Sequence, residues 1–391
     1  MKEIKLVSDT IDKNDINDLV EWLTQPEIPR LTKGDLTLQL EEEFANIIGT
    51  KHSIYVNSGS SAILLGLAAL KYSNQLKNDK IVISNLSWAT DVTTPVLLNY
   101  EPILIDCNLQ DLSVDLEQLE YVFRTEKPSA FILVSVLGLV PDMKAITDLC
   151  SRYNVILIED VCESLGSKYQ GRMLGNFGEM SFFSFYFGHH ISTIEGGMVC
   201  TNNSKLNDIL LSIRSHGWDR DLNKDSQKEW RERWNVDDFR AQYTFYYPGM
   251  NLRSTDLQAR IGLNQLKKIE NFSKIRNNNF FKYIDKLEPS DNILKLEQKS
   301  EDFISSFCFP IINENKPNIV KALVENNIET RPLIAGSIGK NPFWQRYANK
   351  GMILDTPNCD LIDKSGFYVP NHQDLSDEDI ARVVNIISSD K

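Results

Sequence analysis

Five histidines occur in the 391 residues of this chain, and two of them, His189 and His190, are adjacent. They occupy a polar turn between two apolar, β-prone runs within residues 180–201, and Glu195-Gly196-Gly197 follows. Loops held between strands are where a rigid framework presents reactive groups. An imidazole placed there suits proton transfer near neutral pH or metal ligation. Upstream, Ser58-Gly59-Ser60-Ser61 links a β-type run ending at Asn57 to an apolar helix. Such a turn offers backbone N–H groups at a helix N-terminus, fitting a phosphate or forming a plain serine cap. Asp160 ends a buried-strand pattern, where a carboxylate needs a cation such as a pyridinium, or else caps the next helix. Trp88, just beyond the apolar run 81–84, offers a flat face to an aromatic ring or packs in the core.

The elements that must carry these residues are legible in the hydrophobic pattern. Apolar runs at 81–84, 102–106, 130–136 and 155–160 are separated by helical periodicity at 89–98, 115–124 and 142–153. Strands apolar throughout and spaced by helices predict a parallel sheet covered on both faces, with ligands at the carboxyl ends of its strands. Helices are expected at 9–25 and at 36–48, the latter with Asp35 as N-cap. One long helix is expected over 255–287, then a strand-like run at 303–312 and helices at 316–327 and 376–388. The resulting division is an N-terminal helix or arm (1–24), a large cofactor-binding domain (25–254), and a linking helix with a small C-terminal α/β domain (255–391).

Composition narrows the function classes. A net charge of −12 without a concentrated basic cluster argues against a nucleic-acid partner, although a few local cations can hold an anionic small substrate. No apolar run reaches about 18 residues, and the N-terminus lacks a signal-peptide core, so no membrane role is expected. Six scattered cysteines without a CxxC pair predict no zinc site or iron–sulfur cluster and no bound metal. Reduced thiols make the cytoplasm the expected compartment.

Taken together, SGSSA (58–62), SW (87–88), EDVCESLGS (159–167), FFSFYFGHH…EGGMV (182–199) and NLRSTDLQARIGLNQL (251–266) carry a resemblance. Over nearly its full length the chain resembles the DegT/StrS family of nucleotide-sugar aminotransferases. That resemblance implies an α/β chain of the fold type I pyridoxal-phosphate-dependent class, like aspartate aminotransferase. It also implies that Gly59, Ser60 and Ser184 bind the cofactor phosphate, that Trp88 stacks on the ring, that Asp160 meets its nitrogen, and that Glu163 lies near the O3′ side. Asn251 would act from the neighbouring subunit of a homodimer.

The chain departs from the family pattern at one position. The family carries Ser-Phe-x-x-x-Lys, and counting from Ser184 or back from Glu195 puts His189 at the lysine; no lysine occurs between Lys168 and Lys205. An imidazole cannot form the Schiff base that tethers the cofactor, but a neutral one can move a proton. A shift of one residue would give the role to His190. The substitution resembles the sugar 3-dehydratase branch, which implies untethered pyridoxal/pyridoxamine phosphate, L-glutamate as amino donor, and a nucleotide-linked 4-keto-6-deoxy sugar that loses its C3 hydroxyl with release of ammonia. Such a reaction belongs to 3,6-dideoxysugar and O-antigen biosynthesis. His216, Arg220, Arg331 and His372 are substrate-contact candidates, with surface loops or turns as the alternative, and 223–245 reads as an insertion near the site's mouth. A sugar aminotransferase and a non-catalytic cofactor-binding regulator remain rival readings.

Overall fold

Runs such as Lys80–Ser84 (KIVIS) and Ala130–Val134 (AFILV) are too short for stable helices and rich in β-formers. In the computed structural model, which describes residues 2–294, 296 and 301–389, they are strands of one large sheet. In chain order the strands are β1 (His52–Val56), β2 (Lys80–Ser84), β3 (Glu101–Ile105), β4 (Ala130–Val134), β5 (Ile156–Asp160), β6 (Lys168–Tyr169) and β7 (Arg172–Met173). They continue with β8 (Met180–Ser184), β9 (Gly197–Thr201), β10 (Cys308–Ile312), β11 (Arg331–Pro332), β12 (Met352–Ile353) and β13 (Gly366–Pro370).

The large sheet runs β1-β9-β8-β5-β4-β2-β3-β12. Only β9 lies antiparallel to its neighbours among these described strands. This is the mostly parallel sheet expected from the strand–helix alternation. Period-two alternation splits its side chains between two apolar cores: Ile81, Ile83 and Ile132 face one, while Val82, Phe131 and Leu133 face the other. A second, antiparallel sheet, β10-β13-β11, lies in the C-terminal third. Two contacts cross between sequence regions: β12 pairs with β3 at the edge of the large sheet, and Ile4 near the N-terminus bridges Ile328.

The first four helices are α1 (Lys13–Leu23), α2 (Asp35–Ile48), α3 (Gly59–Tyr72) and α4 (Ala89–Leu97). α3 is apolar on nearly every side, as a helix held between the sheet and the helix Ser204–Arg214 must be. No described helix is long and apolar enough to cross a membrane.

Three local expectations are corrected. Gly34, not Asp35, stands at the N-cap of α2, and the capping carboxylate comes from Asp256, which accepts from the N–H of Gly34 (2.8 Å) and Thr37 (3.0 Å). The expected helix over 255–287 is two, Asp256–Leu266 and Ile269–Lys286. No proline or glycine marks the break; Lys268 is drawn to Asp12, Asp15 and the Thr10 carbonyl instead. Within 303–312 only Cys308–Ile312 is strand, because Ile304 and Ser305 give their N–H groups to the side chains of Asn277 and Ser167.

Candidate active site

The parallel strands β1, β2, β5 and β8 deliver their carboxyl ends to one edge of the sheet. The segments that follow them enclose a cavity of about 320 Å³. Its lining includes Gly59, Ser60, Trp88, Asp160, Glu163, Ser184, His189 and Arg331, eight of the sequence candidates.

At one end, Ser58 caps α3 by accepting the Ser61 N–H at 3.0 Å, which leaves Gly59 and Ser60 in its first turn. The exposed Ser60 hydroxyl lies 3.1 Å from that of Thr90, another lining residue. Glycine is required in this corner: a Cβ on Gly59 would come within 2.7 Å of Ser184 Cβ, and one on Gly197 within 2.3 Å of the Ser58 carbonyl oxygen. Backbone N–H groups, two hydroxyls and a helix N-terminus form a cradle suited to a phosphate.

In the middle, Trp88 stands at the N-cap of α4 with its side chain 56% exposed, free to present a face to a ring. Asp160 ends β5, nearly buried, and accepts the Cys162 N–H at 2.9 Å. No cation of the described residues pairs with it, and burial pushes its carboxyl upward. A buried acid without a cation fits the nitrogen of a pyridinium ring. Glu163 accepts the N–H of Leu137 at 2.9 Å, from a left-handed backbone (φ 51°), and burial raises it to about 7.

The double histidine divides. His189 is half-buried at the cavity wall with its ring 5.4 Å from that of Phe307, and its Nδ1 has no hydrogen-bond partner. Burial lowers its pKa to about 4, only partly opposed by the Cys162 carbonyl and reinforced by the nearby Arg276 guanidinium. The imidazole is therefore neutral near pH 7. His190 is buried behind it, its Nε2 2.8 Å from the Ser305 carbonyl oxygen. Across the cavity the exposed Arg331 guanidinium has one weak link, 3.4 Å to the Thr330 carbonyl. No lysine lines the cavity among the described residues.

Residues 9–388 match the DegT/DnrJ/EryC1/StrS aminotransferase family model. The chain belongs to this family. It is 33% identical to GDP-4-keto-6-deoxy-D-mannose 3-dehydratase of Yersinia pseudotuberculosis, over 99% of this chain and 98% of that protein. The structure of an Escherichia coli GDP-4-keto-6-deoxy-D-mannose-3-dehydratase with bound hydrated PLP superposes with a TM-score of 0.89 at 29% identity, covering 99% of this chain and 100% of the other. Another solved GDP-4-keto-6-deoxymannose-3-dehydratase, holding a trapped PLP-glutamate geminal diamine, gives 0.88 at 29% identity, covering 98% and 100%.

Four sequence candidates lie outside the cavity of this DegT/DnrJ/EryC1/StrS chain. Asn251 is exposed and accepts the Arg253 Nε–H at 2.9 Å. His216 packs 5.0 Å from the ring of Trp218, and the Arg220 guanidinium stacks 3.8 Å from the same ring while donating to the Gln242 carbonyl. The expected insertion contributes the helix Lys224–Trp234, which docks Arg231 on the buried Asp219 at 2.6 Å. His372 is buried, bonded through Nε2 to the Lys5 carbonyl (3.1 Å) and through Nδ1 to the Asp374 N–H (3.2 Å). It holds down the N-terminal segment, whose Leu6 and Val7 form one wall of the cavity.

Sequence reading missed Leu6, Val7, Thr90, Phe307, Glu329 and Tyr368, all lining residues. Thr90, two residues beyond Trp88, was within reach of motif reasoning. The others come from distant segments: Glu329 accepts the Leu6 N–H at 2.8 Å, and Phe307 is anchored where Arg276 donates to its carbonyl at 2.9 Å.

Proposed function

We propose that this chain is a pyridoxal/pyridoxamine-phosphate-dependent 3-dehydratase acting on a nucleotide-linked 4-keto-6-deoxy sugar, with L-glutamate as amino donor and ammonia as co-product. The observation that carries the reading is His189 on the wall of a lysine-free cavity, at the position where the family places its tethering lysine. The names of its relatives support GDP-4-keto-6-deoxy-D-mannose as the substrate.

The cavity fits the cofactor. The Gly59–Ser60 turn with Thr90 and Ser184 would hold the phosphate, Trp88 would cover a ring face, and Asp160 would meet the ring nitrogen. When bound, the aminated cofactor supplies the amine that engages the sugar ketone and the electron sink that lets the C3 hydroxyl leave. The His189 imidazole, neutral near pH 7 and on the cavity wall, takes up the proton lost in that step and returns it to the departing hydroxyl. Phe307 and the Leu6–Val7 segment keep water from that imidazole. Arg331 holds the glutamate carboxylate or the diphosphate.

The active unit in this reading is a homodimer. Exposed apolar side chains precede the exposed Asn251 in the chain, among them Trp234, Phe239, Phe245 and Met250, and supply material for an interface. Asn251 would then complete the partner's cavity.

Two measurements test the function. Incubation with L-glutamate, the cofactor and GDP-4-keto-6-deoxy-D-mannose should release ammonia and a deoxygenated keto sugar; a stable amino sugar would instead establish an aminotransferase. Borohydride reduction in the presence of pyridoxal phosphate should leave the protein mass unchanged, and a pyridoxyl group fixed to a cavity residue would refute the untethered cofactor.

A further inference from the structure

Asp91 stands three residues beyond Trp88, in the first turn of α4, and its side chain is completely buried. Neither carboxyl oxygen receives a well-formed hydrogen bond from an N–H among the described residues, and the nearest backbone donor is that of Trp88. The carboxyl lies within hydrogen-bond reach of the Asp160 carboxyl, and Glu163 is the next charged group acting on it. Both neighbours are acidic. An isolated buried carboxylate is costly, and two buried carboxyls in contact cannot both ionise. The pair must hold a proton, and the asymmetry of its surroundings says where. Asp160 accepts the Cys162 N–H and lies beside the Cys162 thiol, whereas Asp91 has, besides Asp160, only the Trp88 backbone N–H, too poorly aligned to form a full hydrogen bond. Burial, then the Asp160 charge, push the Asp91 carboxyl well above the usual carboxylate range.

Resting on the cofactor reading above, we propose that Asp91 is a positioning residue: a neutral carboxylic acid whose O–H donates to Asp160 and fixes that carboxylate, charged, against the cofactor's ring nitrogen. A carboxylate that already accepts an O–H is a weaker base. The proton at its contact with the ring therefore stays on the nitrogen, which keeps the ring an effective electron sink. The shape of the site would survive without Asp91; the protonation state of the ring would not.

The test uses the full-length protein loaded with pyridoxal phosphate labelled with ¹⁵N at the ring nitrogen. Wild type and Asp91→Asn, whose amide still carries a donor, should both show the protonated-nitrogen shift between pH 6 and 8. Asp91→Leu should move the signal toward the unprotonated value and weaken cofactor retention about tenfold by equilibrium dialysis. A wild-type shift and affinity in Asp91→Leu would overturn the proposal. Infrared difference spectra of cofactor-free wild type and Asp91→Asn provide an arm that survives poor folding of the leucine variant. The protonated-carboxyl band should shrink in Asp91→Asn, and an unchanged band means Asp91 is ionised and the proposal wrong. Failure of the wild type itself to bind the cofactor would overturn the functional reading and this one together, whereas binding with a D91L signal like wild type overturns this one alone.

Discussion

His189 and His190 are consecutive residues with different surroundings: His189 lines the cavity, while His190 is buried with its Nε2 2.8 Å from the Ser305 carbonyl. Replacing each should separate chemistry from framework. His189→Asn is expected to fold normally, retain the cofactor, and lose ammonia release by about 10²–10⁴-fold, the usual worth of a positioned acid–base group. His190→Asn should keep turnover within a few-fold and lower stability by about 1–2 kcal/mol, because the Ser305 carbonyl loses its partner. Steady-state assays alongside thermal unfolding decide it; equal losses of turnover in both variants would contradict the division of roles.

Arg331 lines the cavity with almost no link to the protein beyond 3.4 Å to the Thr330 carbonyl. Its charge is thus free for an anionic ligand. Arg331→Gln should raise KM for L-glutamate or for the nucleotide sugar about 10–100-fold, the cost of one charge-assisted contact. The unfolding midpoint should not move. Which KM rises tells which anion the guanidinium holds.

Much of this arrangement was legible in residue order. The strand–helix alternation determined the parallel sheet, and parallel strands must end on one edge, which brings Ser60, Asp160, Ser184 and His189 together. Substrate contact and structural turn stayed open for His372 because its motif says only that a polar residue sits at a turn; its partners, Lys5 and Asp374, include one more than 360 residues away. The break between Leu266 and Ile269 was invisible for a similar reason, since Lys268 is pulled by acids of α1 and its approach rather than by a local breaker. Asp91 carries no motif signal at all. Its meaning appears only once α4 places it beside Asp160.

Burial of His372 gives a pH dependence with a definite sign. Its pKa is lowered to about 4 by burial, with the Arg276 charge adding to the effect. An unfolded histidine titrates near 6.5, so between about pH 6.5 and 4 the unfolded chain binds a proton that the folded ring refuses. Stability should fall through that window as pH drops, and the contribution vanishes above it. His372→Gln keeps an amide donor for the Lys5 carbonyl and removes the titration. The stability lost between pH 7 and 5 in urea unfolding should be smaller in the variant by about 1–3 kcal/mol. Glu163, raised to about 7, acts with the opposite sign over the same range, but it is present in both proteins and cancels in the difference.

Asp256 joins two helices through one buried carboxylate. Its carboxylate lies at the start of the helix Asp256–Leu266, yet it caps α2 by accepting the N–H groups of Gly34, Leu36 and Thr37 and the Thr37 hydroxyl at 2.6 Å. Four donors therefore converge on one side chain that is 3% exposed. Substitution by alanine leaves these buried donors unsatisfied and removes the tie between α2 and the helix Asp256–Leu266. Asp256→Ala should lose about 2–4 kcal/mol in denaturant unfolding. Asp256→Asn, retaining one acceptor oxygen, should lose roughly half as much. Because the hydrogen-bond partners of the carboxylate among the described residues lie outside the cavity wall, ammonia release per folded molecule should stay near wild type. A variant that remained stable but lost turnover would place Asp256 in the catalytic machinery instead of the framework.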